Sequence, residues 1–171
     1  MPIKQNRSRT IEIIYTIFLG IIIAVFVGLG ISAFYNEPKY PEMPSTLKVY
    51  SVPVESSKDS TTSADLIDKQ EKYDKQVEDY QKNINDYNRN VSIIALIASI
   101  IALSVSLLLA QKLLVIADGV LLGGVFTLLY SVVRVFGSGD DKVRFLVVTV
   151  GLCVALTLGY IKFIRSSEKG K

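Results

Sequence analysis

One ionisable residue of this chain lies deep inside an apolar run. Asp118 stands in Leu-Leu-Val-Ile-Ala-Asp-Gly-Val-Leu-Leu, residues 113–122. An acid within a lipid-spanning helix is costly unless it meets water, a cation or a hydrogen-bonding partner, so by default it marks an ion or proton site. A local reading competes with this. If the chain turns anywhere from Gln111 to Ile116, Asp118 lies in the first turn of the helix that follows. There the helix dipole favours an acid and headgroup water is within reach. The second group with a chemical use is aromatic. Tyr73, Tyr80 and Tyr87 recur at every seventh position, with Val77 and Ile84 between them. Rings at that spacing make contacts, not reactions. Large amphipathic side chains of this kind anchor interfaces.

Little else is reactive. There is no histidine among the 171 residues, which removes the commonest general base and metal ligand. Cys153 is the single cysteine. It can form no internal disulfide and no zinc cluster, and within an apolar run it reads as a small packing residue. No nucleophile–base pair and no phosphate loop is present, since the glycines at 119, 123 and 124 fall inside an apolar run and read as packing positions. No catalytic residue, cofactor or metal is expected.

The elements that position these residues follow from hydropathy. Apolar runs occupy residues 11–34, 91–110, 113–136 and 143–164. About 20 such residues cross a hydrocarbon core of about 30 Å. In lipid every backbone N–H and C=O must be bonded internally, so each run must be a helix. The first run is longer than the ~7–15 residues of a signal-peptide core and lacks a small-x-small cleavage site before Asn36. The expected fold is an all-α membrane protein, a four-transmembrane-helix bundle with a long helical extension of the second span outside the membrane. Lys4, Arg7 and Arg9 precede the first run, Lys112 follows the second, and Lys162, Arg165, Lys169 and Lys171 lie at or beyond the end of the fourth. With four spans these share one side, which the positive-inside rule makes cytoplasmic. Residues 1–10 and 165–171 are then cytoplasmic, and 35–63, 64–90 and 137–142 are outside.

The outer segment divides in two. Pro38, Pro41 and Pro44 recur every third residue, so in polyproline II they share one edge of a stiff chain. That edge reads as a spacer leaving the membrane, with a ligand for a proline-recognition domain as the alternative. Residues 47–54 alternate loosely and suit a short strand, and 55–63 read as loop. A helix begins near Thr62 or Ser63, where Thr62 and Asp65 resemble a capping box. Leu66, Gln70, Tyr73, Val77, Tyr80, Ile84, Tyr87 and Val91 then form a heptad seam. Asp65–Lys69, Asp68–Lys72, Glu71–Lys75 and Glu78–Lys82 are spaced for i, i+4 ion pairs. No Gly or Pro interrupts residues 64–110, so stalk and second span (residues 91–112) form one helix. A stalk of about 27 residues rises roughly 40 Å. Its seam needs cover, from residues 47–54 or from another chain. Asn90-Val-Ser92 matches a glycosylation acceptor but sits on a helix at the bilayer edge.

Small residues recur through the spans: Gly20, Ala24, Gly28 and Ser32; Ser92, Ala95, Ser99, Ala102 and Ser106; Gly119, Gly123, Thr127 and Ser131; Gly151, Ala155 and Gly159. Such stripes let helices approach closely, which argues for a tight bundle without a wide aqueous pore. Glu12, Arg134 and Lys162 lie at span ends, where long side chains snorkel, and Arg134 is placed to pair with Asp140 or Asp141. The pattern implies a non-enzymatic integral membrane protein whose stalk mediates assembly or partner binding through Tyr73, Val77, Tyr80, Ile84 and Tyr87. Its partners are the lipid bilayer and a second copy or another membrane protein. The alternative is a small transporter or ion-conducting protein using Asp118. Nucleic acid is not expected, because the basic residues form short flanks of spans that topology already explains.

Overall fold

The computed structural model describes residues 3–45 and 60–161, with side chains described over 9–45 and 65–161. The expected strand at 47–54, the Thr62 side chain and Lys162 fall outside those ranges, and the helix expected to begin near Thr62 or Ser63 is already formed at Ser60, within the stretch 55–63 read as loop. Among the described residues every regular element is helical: α1 (Ile3–Phe34), α2 (Ser60–Leu109), α3 (Leu114–Val135), a 3₁₀ turn (Phe136–Ser138) and α4 (Asp141–Gly159). Four helices are long and apolar enough to cross a membrane.

α2 runs without interruption for 50 residues, roughly 75 Å at 1.5 Å per residue. Its first half is charged and its second half apolar. The helix ends where Ala110–Lys112 reverse the chain, with the Leu113 N–H closing on the Leu109 carbonyl at 2.9 Å. Across this hairpin the Ser106 hydroxyl donates to the Ala117 carbonyl at 2.8 Å. At the other end of the pair Ser92 and Ser131 donate to each other's backbone carbonyls, at 2.9 and 2.7 Å. α4 starts at Asp141, not at residue 143, because the Asp140 carboxylate caps it, accepting from the Lys142 and Val143 N–H groups.

α3 is the central helix. Its stripe of Gly119, Gly123, Thr127 and Ser131 is buried. Here Gly20 of α1 faces Leu122 and Gly123 faces Ile23, while Gly124 faces Leu103 of α2. The α2 positions Ser92, Ala95, Ser99 and Ser106 are also buried. The other two stripes are only partly used. Gly28 and Gly159 meet open space, and of the α4 stripe Gly151 alone is buried. The tight packing therefore joins α1, α3 and α2. α4 seats only at the stalk end, where Val147 packs with Leu96 and Val135. Towards the hairpin end it diverges from α2 and leaves an apolar groove of about 230 Å³ lined by Ile100, Leu103, Leu107, Val154 and Leu158. Cys153 borders this groove and is exposed on the chain's surface, so it is not the buried packing residue that its apolar setting suggested.

The exterior is apolar. Ile14, Phe18, Phe26 and Leu29 on α1 and Phe145, Leu152 and Leu156 on α4 are exposed. A contiguous apolar surface of this extent suits lipid far better than water.

Candidate functional site

The candidate site is the tyrosine seam on the charged half of α2. Ion pairs support the helix that carries it. Three of the four expected pairs are formed: Asp65–Lys69 at 2.6 Å, Asp68–Lys72 at 2.7 Å and Glu78–Lys82 at 2.9 Å. Their bonds raise the Lys72 and Lys82 pKa values and lower that of Glu78, in each case chiefly through the hydrogen bond within the pair.

Five seam residues lie on one face. Tyr73 and Tyr87 are buried, and Val77, Tyr80 and Ile84 are half-buried. The cover comes from this chain, and from a segment that the sequence reading treated as a spacer. Tyr35, at the end of α1, stacks on Tyr87 with ring centroids 5.2 Å apart and planes 9° from parallel. Tyr40 meets the Tyr80 ring edge-on at 5.0 Å and 74°. The Tyr73 hydroxyl donates to the Tyr40 hydroxyl at 3.4 Å, and this bond is the main cause that raises the Tyr73 pKa.

Residues 36–44 carry neither helix nor strand, and their burial has a period of three. Tyr35, Pro38, Pro41 and Pro44 are half-buried while the residues between them are exposed. The proline edge therefore faces the molecule and is not presented to a proline-recognition domain. The rise also fits. At the polyproline II rise, five residues span about 15 Å from Tyr35 to Tyr40. Along the helix Tyr80 and Tyr73 stand about 10 and 21 Å above Tyr87. Tyr40 thus arrives between them and touches both.

The root of this strap is a polar clasp. The Asn90 side chain donates to the Tyr35 hydroxyl at 2.7 Å. The Arg134 guanidinium lies 5.0 Å over the Tyr87 ring and pairs with Glu37 at 3.4 Å. The expected pairing of Arg134 with Asp140 or Asp141 is not made, because Asp140 caps α4 and Asp141 pairs with Arg144 at 2.8 Å. Nor does Arg134 simply snorkel, since Tyr87 and Glu37 hold it. Asn88 donates to the Gly137 carbonyl at 2.9 Å, tying the 3₁₀ turn to α2. Within the Asn90-Val-Ser92 match the Asn90 amide is already engaged and Ser92 is buried.

Asp118 lies elsewhere. α3 starts at Leu114 and has no acid in its first turn, so Asp118 sits one step beyond the position at which the helix dipole was expected to hold it. It lines a cleft of about 240 Å³ between α1 and α3 together with Glu12, Thr16 and Val115. Hydropathy could not show that Glu12 and Asp118 share this cleft, because that requires knowing which faces α1 and α3 turn to each other. Among the described residues no cluster of three or more metal-ligating side chains occurs.

Comparison of the chain with protein-family models, with curated proteins and with solved structures returns no match.

Proposed function

We propose that this is a non-enzymatic, multi-spanning membrane protein whose α2 stalk mediates assembly or partner binding outside the membrane, with both termini cytoplasmic. The observation that carries the proposal is the stalk itself. α2 passes without a break from an apolar, bundle-packed half into a charged half with an aromatic seam, and the clasp at Tyr35, Tyr87 and Arg134 holds that half in a fixed direction. A rigid, projecting helix with rings on one face is built for contact. The geometry limits the partner. Tyr87 and Val91 continue the seam onto Ile31 of α1, so an in-register parallel pairing of two copies along the whole seam would collide with α1. Above the end of α1 the seam carries Tyr40, so a helix from another chain would seat there by displacing that ring.

The test compares wild type, Tyr80→Glu and Lys75→Glu in native membranes. Crosslinked oligomer or captured partner, per inserted protein, should fall for Tyr80→Glu only, because insertion depends on the spans and contact on the seam. Equal yields in all three would remove the stalk from the proposal.

A second reading has its own observation. Glu12 and Asp118 line one cleft, and two carboxylates beside a span are what a small ion or proton transporter would use. Flux through reconstituted vesicles that Asp118→Asn abolishes, in protein that still folds, would establish that reading instead.

A further inference from the structure

α2 and α4 separate inside the span and wall a groove of about 230 Å³. Leu103 is buried at its floor, Leu107, Val154 and Leu158 are half-buried along its walls, and Ser104 and Thr157 are exposed at its rim. The two rim hydroxyls are already spent. Ser104 donates to the Ile100 carbonyl at 2.8 Å and Thr157 to the Cys153 carbonyl at 2.7 Å. Among the described residues no charged side chain lines the groove. A water molecule needs two to four polar partners, and this lining does not supply them. The groove opens on the lipid-facing exterior, where Leu108, Leu152 and Leu156 are exposed. Its occupant therefore comes from the bilayer, because walls left without a neighbour lose their dispersion contacts. Residues 100–107 of α2 give it a length of roughly 10 Å. A helix is about 10 Å across and over that length needs several times the volume. An acyl chain does not. At roughly 30 Å³ for a group the size of water, 230 Å³ takes about eight methylenes.

We infer that this groove holds one acyl chain of an anionic phospholipid from the leaflet at the hairpin end, with its headgroup beside Lys112. The groove lies in the hairpin half of the span, so a chain entering it belongs to that leaflet. Apolar contact cannot choose the lipid, since every phospholipid offers the same tail and tails are as apolar as leucine. Charge can. Lys112 is exposed on the hairpin, and by residue order Lys162 and Arg165 come just after the described end of α4. The acids described near this end, Glu12 and Asp118, line the cleft between α1 and α3 instead. One basic residue at a membrane surface favours an anionic lipid about fivefold. The chain also completes the bundle. α4 packs through Val147 on Leu96 and Val135 at the stalk end, and the lipid supplies the contacts that α2 does not give it at the other. The inference needs the spans alone and is independent of what the stalk contacts.

The chain has no tryptophan, so one introduced indole reports only on its own surroundings. Full-length protein carries Cys153→Trp at the groove's exposed rim or Phe18→Trp on the lipid-exposed face of α1. Phe18 adjoins Leu19, which faces Gly119, so both reporters stand in the hairpin half of the span. Each protein is reconstituted in phosphatidylcholine vesicles containing a minor fraction of phosphatidylglycerol. Bromine on the chains of one lipid or the other quenches nearby indole. Quenching at residue 153 should report phosphatidylglycerol enriched about fivefold over residue 18. Lys112→Gln, on the exposed hairpin, should bring the enrichment at 153 down towards the level at 18. Val154→Phe, which fills the groove, should do the same and leave residue 18 unchanged. Equal enrichment at 153 and 18 would mean surrounding lipid only and would overturn the site. Enrichment at 153 that survives Val154→Phe in folded protein would show that the chain is not in the groove. Enrichment that survives Lys112→Gln would remove the headgroup partner on which the choice of lipid rests.

Discussion

A close helix–helix approach at Gly123 gives a quantitative test of the bundle's packing. A Cβ added at Gly123 would stand 2.7 Å from the Ile23 Cβ, 2.8 Å from its Cγ2 and 3.2 Å from the Gly20 carbonyl oxygen. Carbon atoms at their optimal separation are about 3.5–4.0 Å apart, so Gly123→Ala forces a displacement approaching an ångström. The Ile23 Cβ is rooted on the α1 backbone and cannot rotate away, so the helix itself must move. Overpacking of this kind costs roughly 1–3 kcal/mol. Gly28 lies on the same helix as Ile23 and has nothing within 4 Å of an added Cβ. Gly28→Ala therefore gains whatever helix propensity alanine brings, up to about 1 kcal/mol, with no clash against it. Thermal unfolding in detergent separates the two. A loss of 1–3 kcal/mol in a chain of this size lowers the Tm by roughly 2–12 °C, which is expected of Gly123→Ala, while Gly28→Ala holds or gains. A double variant sharpens the test. Adding Ile23→Ala removes the Cγ2 clash but leaves the Cβ at 2.7 Å, so it should not restore Gly123→Ala fully. Equal Tm values for the two glycine variants would refute the close α1–α3 approach on which the bundle rests.

Further outcomes follow from the same geometry. Asp118→Asn should leave expression and assembly nearly unchanged, and a lost vesicle flux would count against the contact reading. Single cysteines at Ser57 and Ser166, in a Cys153→Ser background, should label from opposite sides of the membrane, and labelling of both from one side would remove the even number of spans. Alkali should open the strap. The Tyr73 pKa is raised above its ordinary value of 10.0 by its bond to Tyr40. A raised folded-state pKa contributes stability that is complete below the unfolded value and is lost as pH rises through the folded one. Labelling of a single cysteine at the half-buried residue 77, in a Cys153→Ser background, by a membrane-impermeant maleimide should therefore quicken above about pH 10 relative to one at the exposed residue 76, and lose that difference with Tyr73→Phe. In acid the stalk should weaken from another cause. The Glu78 pKa is lowered by Lys82, so its contribution is present above the unfolded carboxylate range and is lost as pH falls through the lowered value. Helix content should show this for wild type more than for Glu78→Gln.

Much of the architecture could be read from residue order. The four apolar runs and the freedom of residues 64–110 from Gly and Pro lead directly to four long helices and an unbroken α2, because backbone satisfaction and helix breaking are local. The seam was legible for the same reason, since a repeat of seven is written along one helix. What was not legible depends on how separate segments meet. Residues 35–44 read as a spacer because nothing in their own pattern says that α1 ends beside Tyr87. Once Tyr35 stacks there, rise per residue alone brings Tyr40 to Tyr80 and Tyr73. Arg134 has acids close by in sequence, yet capping takes Asp140 and Arg144 takes Asp141, which leaves Glu37 from the segment after α1. Glu12 lines the same cleft as Asp118, and Cys153 is exposed, for reasons of helix rotation that hydropathy does not encode.

The clasp lies where the physics of the chain changes. Below it, Val91, Ala95, Leu96 and Val147 are buried apolar groups. Above it, the exposed faces of α2 are charged. A helix leaving a bundle loses its neighbours at this level, and an unsupported stalk of seven or eight turns would swing freely about its last packed residue. Asn88, Asn90, Arg134 and Glu37 occupy this level and are joined to Gly137, Tyr35 and Tyr87. These bonds link α2 to the end of α1 and to the α3–α4 connection, which are its two neighbours there. Polar side chains suit the task because a hydrogen bond fixes direction, whereas apolar packing fixes only proximity. A stalk aimed in this way presents its seam in one orientation to whatever approaches the membrane. Loss of the clasp, for example by Arg134→Met with Asn90→Leu, should therefore leave the bundle folded while blurring the direction of the stalk. That would appear as a broadened distribution of distances between spin labels at residues 69 and 142, and a distribution as narrow as wild type would show that the helix alone is stiff enough.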